Sequence, residues 1–202
     1  MNVPPPHRLS VCSIEDAPTA LRLSAHQKAD VLYADPPWDD AHMATFANLA
    51  RRQTGVKVEP LRWEVFMLSL VTIASSYVEG WVFIEMGRQH AERTAELMRQ
   101  ELEDVAIHST SYGRGRPCRL ISAHCRPGVA GGYELPPDAR YGGLRQVEGV
   151  LASVCRQRSI VLDPCCGNGL TASAAIRLGL TFYGCELNGA RARKAAQALT
   201  KK

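Results

Sequence analysis

Short runs of β-branched and apolar residues alternate with longer stretches of helical period along almost the whole chain, and this alternation limits the possible folds more than any other feature. Strands separated by helix-length segments pair in parallel, so the pattern predicts an α/β, Rossmann-like domain with a mostly parallel sheet. Strands are expected at 8–12, 31–34, 81–85, 105–110, 119–124, 160–162 and 181–185. Helices fit 41–52, 61–77, 88–103, 143–157, 170–178 and 189–199, the first with Asp40 as its N-cap. Two connections depart from the pattern. The loop joining 105–110 to 119–124 is too short for a parallel crossover, so an antiparallel hairpin is expected at one sheet edge. Residues 126–143 hold Gly131-Gly132 and Pro136-Pro137 without any periodicity and read as a short irregular surface insertion. At 202 residues, with no internal repeat, the chain is expected to form a single domain over 1–202.

Composition narrows the class further. With 46% hydrophobic and 22% charged residues, the chain has enough apolar material for a core and is far from the disordered range. The longest apolar stretch, 65–77, is interrupted by Ser69, Thr72, Ser75 and Ser76 and is too short for a membrane span. The first seven residues are Pro-rich and lack a basic segment followed by an apolar one, so an intracellular, cytoplasmic protein is expected. Seven cysteines without a CxxC pair predict free thiols. Cys118, His124 and Cys125 match no paired-ligand spacing, and no metal is expected. The net charge of +4 is mild, but residues 108–158 carry eight arginines against Glu134, Asp138 and Glu148. Within that stretch, Tyr112-Gly-Arg114-Gly-Arg116-Pro117 has the composition to follow a phosphate backbone, because glycine allows close approach and guanidinium forks match phosphate oxygens.

Two constellations carry chemistry. Directly after the strand at 31–34 comes Asp35-Pro36-Pro37-Trp38. Each proline biases the residue before it away from the helical region, so the loop is stiff and can present the Asp35 carboxylate and the Pro36 carbonyl as a fixed pair of acceptors. Such a pair suits an amino group, and Trp38 offers a flat face for a planar base, a contact worth about 1–3 kcal/mol in nucleic-acid systems. The second constellation runs from the strand at 160–162 through Asp163-Pro-Cys-Cys-Gly167-Asn168-Gly169 into a helix beginning near Thr171. It lacks the third glycine of the dinucleotide fingerprint and the lysine of a P-loop. The next strand ends at Glu186, where a carboxylate would hold a ribose diol, so a nucleoside-bearing ligand is expected.

In this order the two constellations resemble the S-adenosyl-L-methionine-dependent amino-group DNA methyltransferases, in the permuted arrangement where the catalytic motif precedes the glycine motif. Asp35-Pro-Pro-Trp38 is similar to their catalytic motif, Asp163 to Gly169 to their glycine motif, and Glu186 with Asn188 to their ribose-binding region. The likeness spans nearly the whole chain. Two places depart from it: Cys12-Ser13-Ile14 stands where a Gly-Asp-Ala-like stretch is usual, and Tyr141-Gly-Gly-Leu-Arg-Gln-Val-Glu148 where a His-Pro-Thr-Gln-Lys-Pro-like one is. The resemblance implies a circularly permuted, seven-stranded methyltransferase fold and S-adenosyl-L-methionine as cofactor. It implies catalytic roles for Asp35, Pro36, Pro37 and Trp38, and cofactor contacts from Ser13, Asp35, Asp163, Cys165, Gly167, Asn168, Gly169, Thr171, Glu186 and Asn188. DNA is the implied partner, with Arg114, Arg116, Arg119 and Arg126 on phosphates and the insertion 126–143 beside it. The implied reaction is methyl transfer to N6 of adenine, with cytosine N4 as the alternative and a fold-retaining nucleic-acid-binding module as the non-enzymatic one. Trp63, Phe66 and Trp81 are expected to be core residues, Glu85 to cap a helix or contact a hydroxyl, and 39–60 to include a lid. Monomer and homodimer both remain open.

Overall fold

The computed structural model describes residues 6–55, 57, 59–112, 115–128 and 132–200. Seven strands form one sheet: β1 (Arg8–Ser10), β2 (Ala29–Ala34), β3 (Val78–Gly87), β4 (Glu103–Tyr112), β5 (Arg116–His124), β6 (Ile160–Asp163) and β7 (Thr181–Cys185). Their order is β1-β7-β6-β2-β3-β5-β4. All neighbours are parallel except at β5, which runs against both β3 and β4. The expected hairpin is therefore present, but the edge strand is β4 and the reversed strand lies one position inside it. This is the circularly permuted Rossmann-like methyltransferase architecture.

From β2 in the middle of the sheet the chain builds outward through β3 to the edge strand β4, folds back with β5 between those two, then returns to place β6 on the other side of β2. Val31 pairs with Val161 and Leu32 with Leu162. The strands that lead into the two sequence constellations are thus adjacent, and their carboxyl ends open at the point where the strand order reverses, where α/β sheets collect ligands.

Helices α1 (Ala17–Ala20), α2 (Asp40–Thr54), α3 (Trp63–Tyr77), α4 (Ala91–Met98), α5 (Leu144–Val154), α6 (Leu170–Arg177) and α7 (Gly189–Thr200) complete the fold, with a 3-10 turn at Pro137–Arg140. Alternation along the buried strands separates two cores. Leu32, Ala34, Ile84 and Met86 point to one face under Met67, Leu70 and Ala74 of α3. Val31, Tyr33, Phe83 and Phe182 point to the other, against Val147 and Val150 of α5 and Ala172 and Ala175 of α6. The N-cap of α2 is Asp39, whose Oδ1 accepts from the His42 N–H at 2.7 Å. Asp40 instead accepts from the Trp63 N–H at 2.6 Å and ties α2 to α3. The insertion 126–143 is less irregular than expected, since it contains the 3-10 turn and buries Tyr133 edge-on against Phe83, ring centres 4.7 Å apart.

Candidate active site

Beyond the carboxyl ends of β2, β3, β6 and β7 lies a cleft of about 900 Å³. One wall carries Asp35, Pro36, Pro37 and Trp38; another carries Asp163, Cys165, Cys166, Gly167, Asn168 and Thr171; Glu186 and Ser13 close the far end. His42, Met43, Phe46 and Ala47 of α2 roof it, over the stretch expected to form a lid. Residues from the two ends of the chain therefore meet in one space.

Tertiary contacts hold the Asp35 loop in place. The Pro37 carbonyl accepts from the Trp63 indole N–H at 3.0 Å, whereas among the described residues nothing donates to the Pro36 carbonyl. Trp38 donates its indole N–H to Asp35 Oδ1 at 3.3 Å and packs on Gly87, where a Cβ would come within 2.6 Å of the ring. Tyr112, at the end of β4, meets Trp38 edge-on with centres 5.5 Å apart, and its side chain faces Asp35. Trp63, a core residue as expected, and Gly87 and Tyr112 hold this loop from three different elements, and none carries a local motif that would show it.

The second wall is organised around Glu186. Its Oε2 accepts from the Gly167 N–H at 2.9 Å and its Oε1 from the Asn188 N–H at 2.8 Å, which locks the end of β7 onto the turn after β6. Asp163 Oδ1 accepts from the Cys165 N–H at 3.2 Å, and the Thr171 side chain lies beside it. Gly167 sits at φ +54° with its open side toward Arg191, leaving bare backbone on the cleft. Gly169 has a different job: at φ +86°, a Cβ there would lie 2.6 Å from Ala195 Cα, so the second glycine lets α6 pack on α7 rather than exposing backbone to a ligand.

Several expected contacts fall elsewhere. Asn188 does not line the cleft; its Oδ1 caps α7 through the Ala190 N–H at 2.9 Å, and its Nδ2 donates to Gln53 of α2 at 2.8 Å. The Ser13 hydroxyl is spent on the Asp16 carboxylate at 2.8 Å, while Glu15, two positions on, lines the cleft. Among the arginines, Arg116 lines the cleft. Arg119 folds onto the Cys118 carbonyl at 2.9 Å and is not part of it. Arg126 is at the opposite end of the sheet, paired with Glu79 at 2.7 Å, because β5 runs against its neighbours and carries its C-terminal end away from the cleft. Arg114 lies outside the described residues. Trp81 is also at that far end, in an aromatic group with His124 and Tyr133.

Burial dominates the electrostatics. It pushes the Asp35 carboxyl up to about 6, with the Trp38 and Tyr112 hydrogen bonds, Arg191 and His42 acting against it. Burial likewise raises Asp163 to about 7, against its bonds from Thr171 and Cys165. Glu85, also on the cleft, rises to about 8 through burial and then the charge of Asp35. Burial drives the Cys165 and Cys166 thiols far up as well, so neither offers a thiolate nucleophile. Six carboxyl residues line this cleft (Glu15, Asp35, Glu59, Glu85, Asp163 and Glu186) against Arg116, Arg191 and His42. A ligand that brings positive charge would favour the ionised form of the buried acids nearest to it. Among the described residues no group of three or more His, Cys, Asp or Glu is arranged to hold a metal ion, and no helix is long and apolar enough to cross a membrane.

No protein-family model and no curated protein matches the chain. Solved structures do match it. The M1.HpyAVI–SAM complex superposes with a TM-score of 0.62 at 14% identity, over 96% of this chain and 99% of that one. TTHA0409 of Thermus thermophilus, complexed with S-adenosyl-L-methionine, gives 0.63 at 17% identity, over 97% and 96%. The PvuII DNA methyltransferase, described as cytosine-N4-specific, gives 0.66 at 9% identity, over 96% and 86%. At these identities it is the fold that is shared, over nearly the full length of each chain: a seven-stranded, circularly permuted methyltransferase sheet.

Proposed function

We propose that this protein is an S-adenosyl-L-methionine-dependent DNA methyltransferase acting on the exocyclic N6 of adenine. The observation that carries the reading is the shared cleft: the Asp35–Pro36 acceptors and the Glu186-braced Gly167 turn open into the same space. The cleft fits the cofactor on the chemistry of its lining, since a sulfonium with an α-amino group complements buried carboxyl groups, and Glu186 stands where a ribose diol would be held. Gly167 and Asn168 would pass beside it, Asp163, Cys165 and Thr171 would back them, and Ser13 and Glu15 would face its base. When bound, the cofactor supplies an electrophilic methyl group.

The chain's own residues deal with the acceptor. An aromatic amine is a poor nucleophile because its lone pair is conjugated into the ring. Accepting its two hydrogens at the Asp35 carboxylate and the free Pro36 carbonyl favours a pyramidal nitrogen whose lone pair points at the donor. Trp38 and Tyr112 receive the ring. After attack the nitrogen is strongly acidic, and Asp35 is placed to take the proton, so positioning and fixed dipoles supply most of the barrier lowering. A base in duplex DNA must leave the stack to reach this depth. Arg116 at the cleft mouth, Arg114 beside it in sequence, and the C-terminal end of the insertion 126–143, where Tyr141 pairs with Ser111 of β4, are the proposed backbone contacts, in a cytoplasmic protein.

Cytosine N4 is the second reading, favoured by the shared fold of the cytosine-N4-specific PvuII enzyme and by the same need for two acceptors. Incubation with labelled cofactor and duplex DNA, single-stranded DNA or RNA, followed by digestion and mass analysis of nucleosides, decides among them. Labelled N6-methyladenine in DNA is expected. N4-methylcytosine would move the target base, and cofactor binding without transfer to any polymer would leave only a binding module.

A further inference from the structure

Glu85 is a buried acid that the mechanism above does not use. Ala34 pairs with Ile84 across β2 and β3, so Asp35 and Glu85 leave adjacent parallel strands side by side, and both line the cleft. Glu85 is 1% exposed. Its Oε2 accepts from the Tyr33 hydroxyl at 3.2 Å, and that hydroxyl accepts from Gln146 Nε2 at 2.9 Å, from the first turn of α5. Among the described residues the other oxygen, Oε1, has only the Cys118 thiol at 3.9 Å, and that thiol has a closer acceptor in the Met86 carbonyl at 3.1 Å. One oxygen is clamped and the other is left for a ligand.

We propose that Glu85 reads the target base by donating a hydrogen bond from its carboxyl group to the ring nitrogen beside the reacting amine, N1 of adenine or N3 of cytosine. The inference rests on the reading of the cleft as a base-methylating site and names how that site selects its base. Adenine and cytosine each present an amine next to a bare ring nitrogen, whereas guanine and thymine present a carbonyl next to an N–H. A pocket that accepts from the amine must therefore also donate to its neighbour. The Trp38 indole N–H, the donor beside Asp35, is already committed to that carboxylate at 3.3 Å. Enzymes that extrude a base commonly read its Watson–Crick edge in this way.

The charge state supports the geometry. Glu85 is faced by Tyr33 of β2, by Asp35 just beyond that strand, by Cys118 of β5 and by Tyr112 of β4, with Gln146 of α5 reaching it through the Tyr33 hydroxyl, so the charged neighbour is another carboxylate. With burial, this holds its proton in place up to about pH 8.

The test is a chemical double-mutant cycle with the whole protein, using DNA that carries adenine or 1-deazaadenine at the target position; 3-deazacytosine takes its place if cytosine is the methylated base. The wild-type kcat/KM should fall about tenfold on the deaza base, the usual size for one lost hydrogen bond to a buried group. Glu85→Ala should lose about as much on the natural base and nothing more on the deaza base. Glu85→Gln, whose amide also donates, should stay within a few-fold of wild type and keep the deaza sensitivity. It should also lack the decline of kcat/KM above about pH 8 that the wild type shows. A Glu85→Ala loss that multiplies with the deaza loss, or a Glu85→Gln variant as poor as Glu85→Ala with an unchanged melting temperature, would overturn the assignment. A wild-type protein that methylates neither base would instead overturn the functional reading on which it rests.

Discussion

At the scale of single residues, Asp35 concentrates the predictions. Its carboxylate must be ionised to accept from an amine, and burial raises it to about 6. The kcat/KM profile, which reports the free enzyme, should therefore fall as pH drops through about 6. Asp35→Ala should lower kcat by about 100- to 1,000-fold, the range seen when a key polar group facing the reacting atoms is removed. Calorimetry should find cofactor affinity nearly unchanged; a variant with near-normal turnover would end the mechanism. Gly87 gives a purely steric test of Trp38. An added Cβ would press on the indole at 2.6 Å, so Gly87→Ala should displace the ring at a cost of about 1–3 kcal/mol and raise KM for DNA without altering cofactor affinity. An unchanged KM for DNA would remove Trp38 from the base pocket. Asp35-Pro-Pro-Trp38 is readable from sequence because its chemistry is contained in four consecutive residues. The partners that aim it, Trp63, Gly87 and Tyr112, arrive from α3, β3 and β4, and no local pattern announces them, whereas Glu85 was legible from its place at the carboxyl end of a strand and does contact a hydroxyl, that of Tyr33.

At the scale of elements, the turn between β6 and α6 separates two glycines that look alike in sequence. Gly169→Ala meets the backbone of α7 at 2.6 Å as well as a left-handed φ, and should destabilise by about 3 kcal/mol, or roughly 10 °C in Tm. Gly167→Ala meets only the Arg191 guanidinium, at 3.7 Å, and should lose about 1–2 kcal/mol from its φ alone. Melting curves of the two variants check the order, and equal losses would contradict the packing role of Gly169. Element types and the hairpin were legible because period-2 and period-3.6 patterns are local. The helix ends were not. The α4 helix stops at Met98, five residues short of the expected end, as the chain turns into β4. The α2 helix takes Asp39 as its cap because Asp40 is used to bind α3.

At the scale of the molecule, the cleft gathers carboxyl groups that fold formation removes from water. Asp35, Asp163 and Glu85 all hold protons in the folded state at pH values where the unfolded chain has released them. The native state then binds more protons than the unfolded state between about pH 4 and pH 8, so the contribution of these groups makes stability fall as pH rises through that window. The empty protein should show a declining Tm from pH 5 to pH 8, and Asp163→Asn combined with Glu85→Gln should flatten the slope. An identical slope in the double variant would show that other groups set it. A cationic cofactor should offset part of the decline, more so than its neutral sulfide product.

The alternation of strand and helix periods, the reversed hairpin and the two strand-to-loop motifs were determined by the sequence alone, because each depends on neighbours within about ten residues. Which arginines could reach the cleft was decided only by the sheet: β5 runs backwards, so Arg116 opens onto the site and Arg126 is carried to the far end to pair with Glu79. The same holds for the burial that lifts Asp35, Asp163 and Glu85, and for the return of the chain that sets β6 against β2. Desolvation and strand adjacency are properties of the packed chain, and no stretch of residues contains them by itself.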